Sequence, residues 1–415
     1  MKDSGIKWIG EIPEDVALWR IKYLASFVKG KIPTSLNKDG VGMPYIGASE
    51  MNGRQPTQHT EDINIVRCDK NDVLILWDGA NAGLIATSKE GAVSSTAVKL
   101  SVTSDSVNSL YLFYLLKYAE KYFRDKVNGT TIPHMNFEYI DDIPFLAFNY
   151  IDQQKIAAFL NDKCTKIDSL IAHEEATIEE LESYKQSVIT EAVTKGLDKS
   201  VPMKDSGIEW IGEIPAEWKV VRMKDLGRCR NGLTYSPNNL VSEDEGILVL
   251  RSSNIKNGKL SFSDNVFVNS EIKDELMVKA GDILICSRNG SRALIGKNAL
   301  IPEKLKASFG AFMMIFRCKS PKYVQMILNS DVFSYYLGTF LTATINQLTA
   351  DNFNNMKIVY CNDALEQEQI TDYLEKKCAY IDNLVYIKQL KIEELKEYKK
   401  SLIYEYVTGK KWLNG

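Results

Sequence analysis

Residues 152–196 read DQQKIAAFLNDKCTKIDSLIAHEEATIEELESYKQSVITEAVTKG, and residues 366–410 read EQEQITDYLEKKCAYIDNLVYIKQLKIEELKEYKKSLIYEYVTGK. The second stretch restates the first. No Gly or Pro interrupts the chain between Pro144 and Gly196, or between Gly338 and Gly409. Ile167, Ile171, Ile178, Leu181 and Val188 form an apolar seam, and Ile381, Val385, Ile392, Leu395 and Leu402 repeat it at the same spacings. Spacings of three, four and seven place these residues on one stripe of an α-helix. Asn149 with Asp152, and Asp363 with Glu366, stand three apart as capping pairs, and each helix runs into a glycine, Gly196 or Gly409. About 43 helical residues at ~1.5 Å each span ~65 Å. A helix of that length with a single apolar stripe needs a partner, and the obvious partner is its own duplicate. Each helix is joined to the next through a globular segment, so an antiparallel pair about a pseudo-two-fold axis is the expected packing. A parallel pair is the alternative, and periodicity does not separate the two.

A second block repeats ahead of each variable segment. Met1–Pro13 (MKDSGIKWIGEIP) returns as Met203–Pro215 (MKDSGIEWIGEIP). A duplicated frame around unlike inserts suits one job done at two places with a different preference at each. The expected organisation is a globular domain at 1–150, a spacer helix at 151–196, a second globular domain at 197–360 and a second spacer helix at 361–415. Within the globular parts, Asp72–Leu76 before Gly79 matches Asp282–Cys286 before Gly290, and both read as strands. Leu84-Ile85 with Leu294-Ile295, and Ala97–Val102 with Phe312–Arg317, are the next expected strands. Helices are expected at Leu110–Lys126 and Lys322–Tyr336. The fold class is α+β: two α/β domains with mixed, mainly antiparallel sheets, separated by two long helices.

The chain has 415 residues, 45% hydrophobic and 25% charged, which is ordinary for a globular protein. No apolar run reaches the ~18–20 residues of a membrane span, and the polar N-terminus is unlike a signal peptide, so a cytoplasmic protein is expected. Seven cysteines, none in a C-x-x-C pair, speak against zinc ribbons and disulfide frameworks. Cys164 and Cys378 hold equivalent helix positions and read as small buried residues. The net charge of −3 argues against strong non-specific DNA binding by the chain alone, but leaves base reading open if partners supply the phosphate contacts.

Catalytic constellations are absent from the sequence. There is no nucleotide-binding P-loop, and His59, His134 and His173 are scattered without metal-ligand spacing. Trp77–Gly83 is glycine-rich but lacks the dinucleotide fingerprint and reads as a tight loop.

The W-I-G-E-I-P opening (Trp8–Pro13, Trp210–Pro215) and the I-E-E-L-x-x-Y-K-x-S tail (Ile178–Ser187, Ile392–Ser401) resemble the specificity subunit of type I restriction–modification systems over essentially the whole chain. Arg251-Ser252-Ser253-Asn254-Ile255 and Gly281-Asp282-Ile283-Leu284 are also family-like. Gly30 and Gly232 fall where the family turns into a DNA-facing loop. The first domain departs at Ile46-Gly47-Ala48-Ser49, opposite Leu250-Arg251-Ser252-Ser253. The resemblance implies a non-catalytic subunit whose two target-recognition domains each read half of a split site in double-stranded DNA. It further implies helices that set the gap and dock two methyltransferase subunits, with restriction–translocase subunits joining the complex. No cofactor is expected on this chain; S-adenosylmethionine, ATP and Mg belong to the partners.

Arg pairs with guanine, Asn or Gln with adenine, and Ser or Thr with either. The candidate DNA-binding residues in the second domain are Arg251, Asn254, Arg288, Asn289, Ser291, Arg292, Thr344, Asn346 and Gln347. In the first they are Asn81, Ser94, Ser95, Thr96, Thr130, Thr131 and His134, with Lys29 and Lys31 for phosphate. Two unlike readers on a pseudo-two-fold frame would meet inverted half-sites about one DNA turn apart, and lengthening both helices should widen the gap. The rival readings are a coiled-coil adaptor that binds only protein, and an enzyme with an unrecognised carboxylate site. A silent allele of the same family is a third.

Overall fold

The computed structural model describes residues 1–70, 72–87, 90–126, 134–141, 143–341 and 346–413. It divides into two compact units, Met1–Glu175 with Gln389–Gly415, and Ala176–Lys388.

In the first unit β1 (Ala17–Arg20), β2 (Ala25–Lys29), β3 (Met43–Ile46), β4 (His59–Thr60), β5 (Arg67–Cys68), β6 (Val73–Leu76), β7 (Ile85–Thr87), β8 (Gly91–Val93) and β9 (Ala97–Val102) precede helix α1 (Ser109–Lys126), short helix α2 (Phe137–Asp141) and β10 (Pro144–Ala147). They form an antiparallel sheet ordered β2-β9-β6-β7, a second sheet ordered β4-β3-β8-β5, and the pair β10-β1. Among the described residues of this unit only β3 and β8 run parallel. All four side chains of β6 (VLIL) are buried, because the sheet is covered on both faces. Helix α3 (Tyr150–Lys195) follows.

The second unit repeats the plan with β11 (Lys219–Arg222), β12 (Gly227–Asn231), β13 (Leu240–Val241), β14 (Ile247–Leu250), β15 (Phe267–Val268), β16 (Ile283–Cys286), β17 (Asn298–Leu300), β18 (Ala307–Phe309), β19 (Met313–Cys318), helices α4 (Pro321–Leu328), α5 (Asp331–Phe340) and α6 (Ala350–Asn355), then β20 (Lys357–Tyr360). Its sheets are ordered β12-β19-β16-β17, β13-β15-β14-β18 and β11-β20, and here β14 and β18 are the parallel pair. Helix α7 (Ala364–Val407) closes the chain.

Two local expectations change. The helix expected at 322–336 is broken into α4 and α5 at Asn329-Ser330. The Ser330 hydroxyl donates to the Ile327 carbonyl, and the buried Asn298 amide donates to the Leu328 carbonyl, so the last turn of α4 is satisfied without continuing. The strand expected at Leu294-Ile295 starts instead at Asn298, since Arg292–Leu294 form a 3-10 turn.

Both capping sites form, in different ways. The Asn149 side chain accepts from the Asp152 amide at 2.9 Å and donates to the Asp152 carboxylate at 2.7 Å. Asp363 caps the Leu365 amide, while Glu366 turns away to accept from Trp218 Nε1 at 3.1 Å. Gly196 and Gly409 take the left-handed φ (74° and 70°) that ends a helix.

The helices pack antiparallel within each unit. In the first, Asp168 meets Lys399 and Glu174 meets Lys391, each at 2.6 Å, so advancing along α3 means going back along α7. In the second, Lys185 meets Asp382 at 2.6 Å, while Val188, Ile189 and Val193 share a core with Ile370 and Leu374. The predicted seam residues are all buried or half-buried. Asp168 and Lys399 correspond by repeat to Asp382 and Lys185, so the same ion pair forms in both units with the helices' roles exchanged, as a pseudo-two-fold repeat requires.

Each W-I-G-E-I-P block rests on the C-terminal end of a tail helix. In the second unit the Lys195 ammonium donates to the Glu213 carbonyl, with α3 just upstream of the block. In the first unit the helix end is that of α7: Tyr404 donates to the Ile9 carbonyl, and Tyr111 donates to the Val407 carbonyl. Among the described residues no helix is long and apolar enough to cross a membrane.

Candidate nucleic-acid interface

In the first unit, the end of β2 crosses the turn between β8 and β9 at very close range. The Gly30 amide donates to the Ala97 carbonyl and the Lys31 amide to that of Val93, while the Ser94 amide donates to the Ile46 carbonyl. The Trp77 and Asp78 amides, just after β6, both donate to the Thr96 carbonyl. The Met135 amide donates to the Trp77 carbonyl, and Asp78 and His134 form an isolated antiparallel bridge. Five segments of the chain therefore meet at one end of the sheet.

The second unit builds the same main-chain frame. The Gly232 and Leu233 amides donate to the Met313 and Phe309 carbonyls, and that of Gly310 to Leu250. The Ser287 and Arg288 amides donate to the Phe312 carbonyl, the Leu348 amide to that of Ser287, and Arg288 bridges Gln347. Position by position, Lys29, Lys31, Asp78, Ser94, Thr96 and His134 of one unit answer to Asn231, Leu233, Arg288, Gly310, Phe312 and Gln347 of the other. The backbone is shared and the chemistry is not.

The frame gathers Lys29, Lys31, Ser94, Ser95, Thr96 and His134 at one edge. Ser94 is buried and its hydroxyl pairs with that of Thr96 at 2.9 Å, so it holds the turn more than it projects from it. Lys29 is bound to Asp78 at 3.0 Å, which answers its charge within the protein. Asn81 lies in the next turn and accepts from Arg124 at 3.1 Å. In the second unit Arg288 is exposed with its guanidinium 5.3 Å from the centre of the Phe312 ring, a cation–π contact that holds a long side chain in place. Asn289 donates to the Ser252 hydroxyl and accepts from the Ser291 amide, and Arg292 reaches the Gly338 carbonyl at 3.4 Å. Asn346 is half-buried beside the exposed Gln347. Thr130, Thr131 and Thr344 lie outside the described residues.

Two candidates belong elsewhere. Asn254 is wholly buried; its amide donates to the Ser261 and Asp264 carbonyls and to Asn265, and its oxygen caps the Arg251 amide. It is the keystone of a turn with nothing left to offer a base. Arg251 is half-buried and paired with Asp264 at 2.9 Å. The Asn254 side chain is absorbed by its own loop, which composition alone does not reveal, and Arg251 borders that loop through its ion pair.

Asp78, Asn231 and Phe312 were not anticipated. The signal was present for Asp78: it follows the β6 motif at the offset at which Arg288 follows the matching β16 motif. Partial burial raises the Asp78 pKa, but hydrogen bonds from His134 and Lys29 and their charges outweigh it, and the carboxyl is held below its ordinary value. Burial pushes the Cys229 and Cys361 thiols up to about 12, so neither is a nucleophile at neutral pH.

Residues 13–183 and 215–397 match the family described as Type I restriction modification DNA specificity domain. The chain belongs to this family. It is 28% identical over 411 residues to the type I restriction enzyme MjaVIII specificity subunit of Methanocaldococcus jannaschii, covering 96% of this chain and 93% of that one. It is 26% identical over 213 residues to the EcoKI specificity subunit of Escherichia coli, covering 49% of this chain and 46% of that one. The fold matches a chain solved in work on complex assembly and conformational transition of the type I R-M system, with a TM-score of 0.70 at 14% identity over 96% of this chain and 99% of that one. This specificity subunit is thus the DNA-recognition component of a type I system. It is non-catalytic, and it acts in complexes with DNA and other restriction–modification subunits. The adaptor reading, in which the chain binds only protein, is not favoured.

Proposed function

We propose that each unit reads one half of a bipartite DNA sequence, and that the antiparallel helices fix the unread gap and dock two methyltransferase subunits. The observation that carries this reading is the repeated main-chain frame with unlike side chains. Lys29, Asp78 and His134 occupy the positions that Asn231, Arg288 and Gln347 occupy in the other unit. One scaffold presenting two donor and acceptor sets suits two different half-sites. With a net charge of −3, the chain depends on partner subunits for much of the phosphate neutralisation.

In this proposal the chain carries no cofactor. S-adenosylmethionine, ATP and Mg sit on the partners, which methylate adenine and, with the restriction–translocase subunits, cleave unmethylated DNA. The assembly works in the cytoplasm.

Mapping methylated adenines in a host that carries this chain with its methyltransferase tests the proposal. A split motif with one fixed gap is expected; a continuous motif, or DNA retention by the methyltransferase alone, would overturn it. Within the second unit, Arg288→Ala and Arg292→Ala should each weaken or relax recognition in one half-site by ~1–3 kcal/mol. Unchanged methylation specificity in either variant removes that arginine from the reading set.

A further inference from the structure

Two side chains of the first unit converge on one carboxylate. Lys29 ends β2 and places Nζ 3.0 Å from Asp78 Oδ2; His134 places Nδ1 2.7 Å from Asp78 Oδ1. The Asp78 side chain is 20% exposed and that of His134 is 59% exposed, so the acid lies beneath and the imidazole stands above it. We propose that Asp78 is a positioning residue for base reading by the first unit: it binds the Nδ1 proton of His134, fixes the ring, and leaves Nε2 to meet a base edge.

The proposal rests on the reading of this unit as a half-site reader. An ionised carboxylate only accepts hydrogen bonds, so Nδ1 must carry the proton. Nε2 is then the ring nitrogen without a partner among the described residues. A bare acid facing DNA would repel phosphate. Here its charge lies between a lysine and an imidazole, and the lysine in turn is drawn away from any free phosphate contact. The second unit solves the same position differently. Arg288 and Gln347 are bridged there through the same backbone contact, and Arg288 is steadied by the Phe312 ring. The bridged pair is thus one two-residue reading slot, filled by a short side chain with an orienting acid in one unit and by two long side chains in the other.

The test is binding of the full chain with its methyltransferase to duplexes in which each target base pair is changed singly. His134→Ala and Asp78→Ala should each lower discrimination about tenfold at the same base pair of one half-site. Asp78→Asn, whose amide oxygen still accepts from Nδ1, should keep most of it, and the other half-site should be unchanged in all three. Wild-type discrimination in His134→Ala overturns the proposal, as does an Asp78→Asn loss equal to that of Asp78→Ala, or equal losses in both half-sites. If Asp78→Ala does not fold, His134→Ala, which leaves the Asp78–Lys29 pair intact, still decides. Failure of the underlying reading looks different: exchanging residues 19–148 for those of another specificity subunit would then leave the target unaltered.

Discussion

Gly232→Ala should remove the base requirement in one half of the target, and Gly30→Ala should remove it in the other half. An alanine Cβ at Gly232 would stand 2.2 Å from the Gly310 carbonyl oxygen and 2.4 Å from that of Phe309. At Gly30 the distances are 2.1 Å to the Ser94 oxygen and 2.4 Å to the Val93 oxygen. These are backbone atoms inside hydrogen-bonded turns, so no side-chain rotation relieves the overlap. The strand end must lift away, and the bonds from Gly232 to Met313 and from Leu233 to Phe309 must lengthen or break. Forcing a methyl into a packed site costs ~1–3 kcal/mol, and more where only backbone can give. The same shift displaces Arg288, which hangs from the Phe312 carbonyl in that turn. Binding to singly substituted duplexes checks this, and complementary patterns in the two variants would assign each unit to its half-site. A Gly232→Ala protein with wild-type melting temperature and specificity would show that the crossing is looser than the structure has it.

Trp218→Ala should cost ~3–5 kcal/mol of stability, as expected for a large aromatic removed from a core. Trp218 is 2% exposed and shares the second unit's core with Ala192 and Val193 of α3 and Ile370 and Leu374 of α7. Its indole donates to Glu366 in the first turn of α7, and its ring lies over Gly196 at the end of α3. Truncation therefore opens a cavity where two helix ends meet and removes a bond to a carboxylate. At the equivalent place in the first unit stands Val16, also buried, whose truncation to alanine removes only ~1–2 kcal/mol at ~0.8 kcal/mol per methylene. Denaturant unfolding of the two variants measures the difference. Equal losses would mean that Trp218 acts as a simple filler rather than as the joint between the helices.

The duplicated tails, their capping residues and their glycine stops were legible because helix periodicity and capping are local properties, written within a few residues of where they act. The strands ending in Leu76 and Cys286 were legible for the same reason. Asn254 was misplaced because polarity does not say whether an amide faces a solvent edge or braces its own loop. The break between α4 and α5 depends on Asn298, about thirty residues away, whose amide competes for the end of the first helix.

By itself, then, the sequence determined two long amphipathic helices, two unlike α/β domains and the family that combines them. Only the tertiary structure decided that the helices run antiparallel, since a stripe of apolar residues packs equally well in either direction and the ion pairs Asp168–Lys399 and Lys185–Asp382 form in one alone. It also decided that the first W-I-G-E-I-P block closes on the far end of the chain, and that the Asp78 carboxylate at the candidate interface is held by Lys29 and His134. Those outcomes depend on which side chains meet across tens to hundreds of residues, where hydrogen bonding and charge, not periodicity, settle the partner.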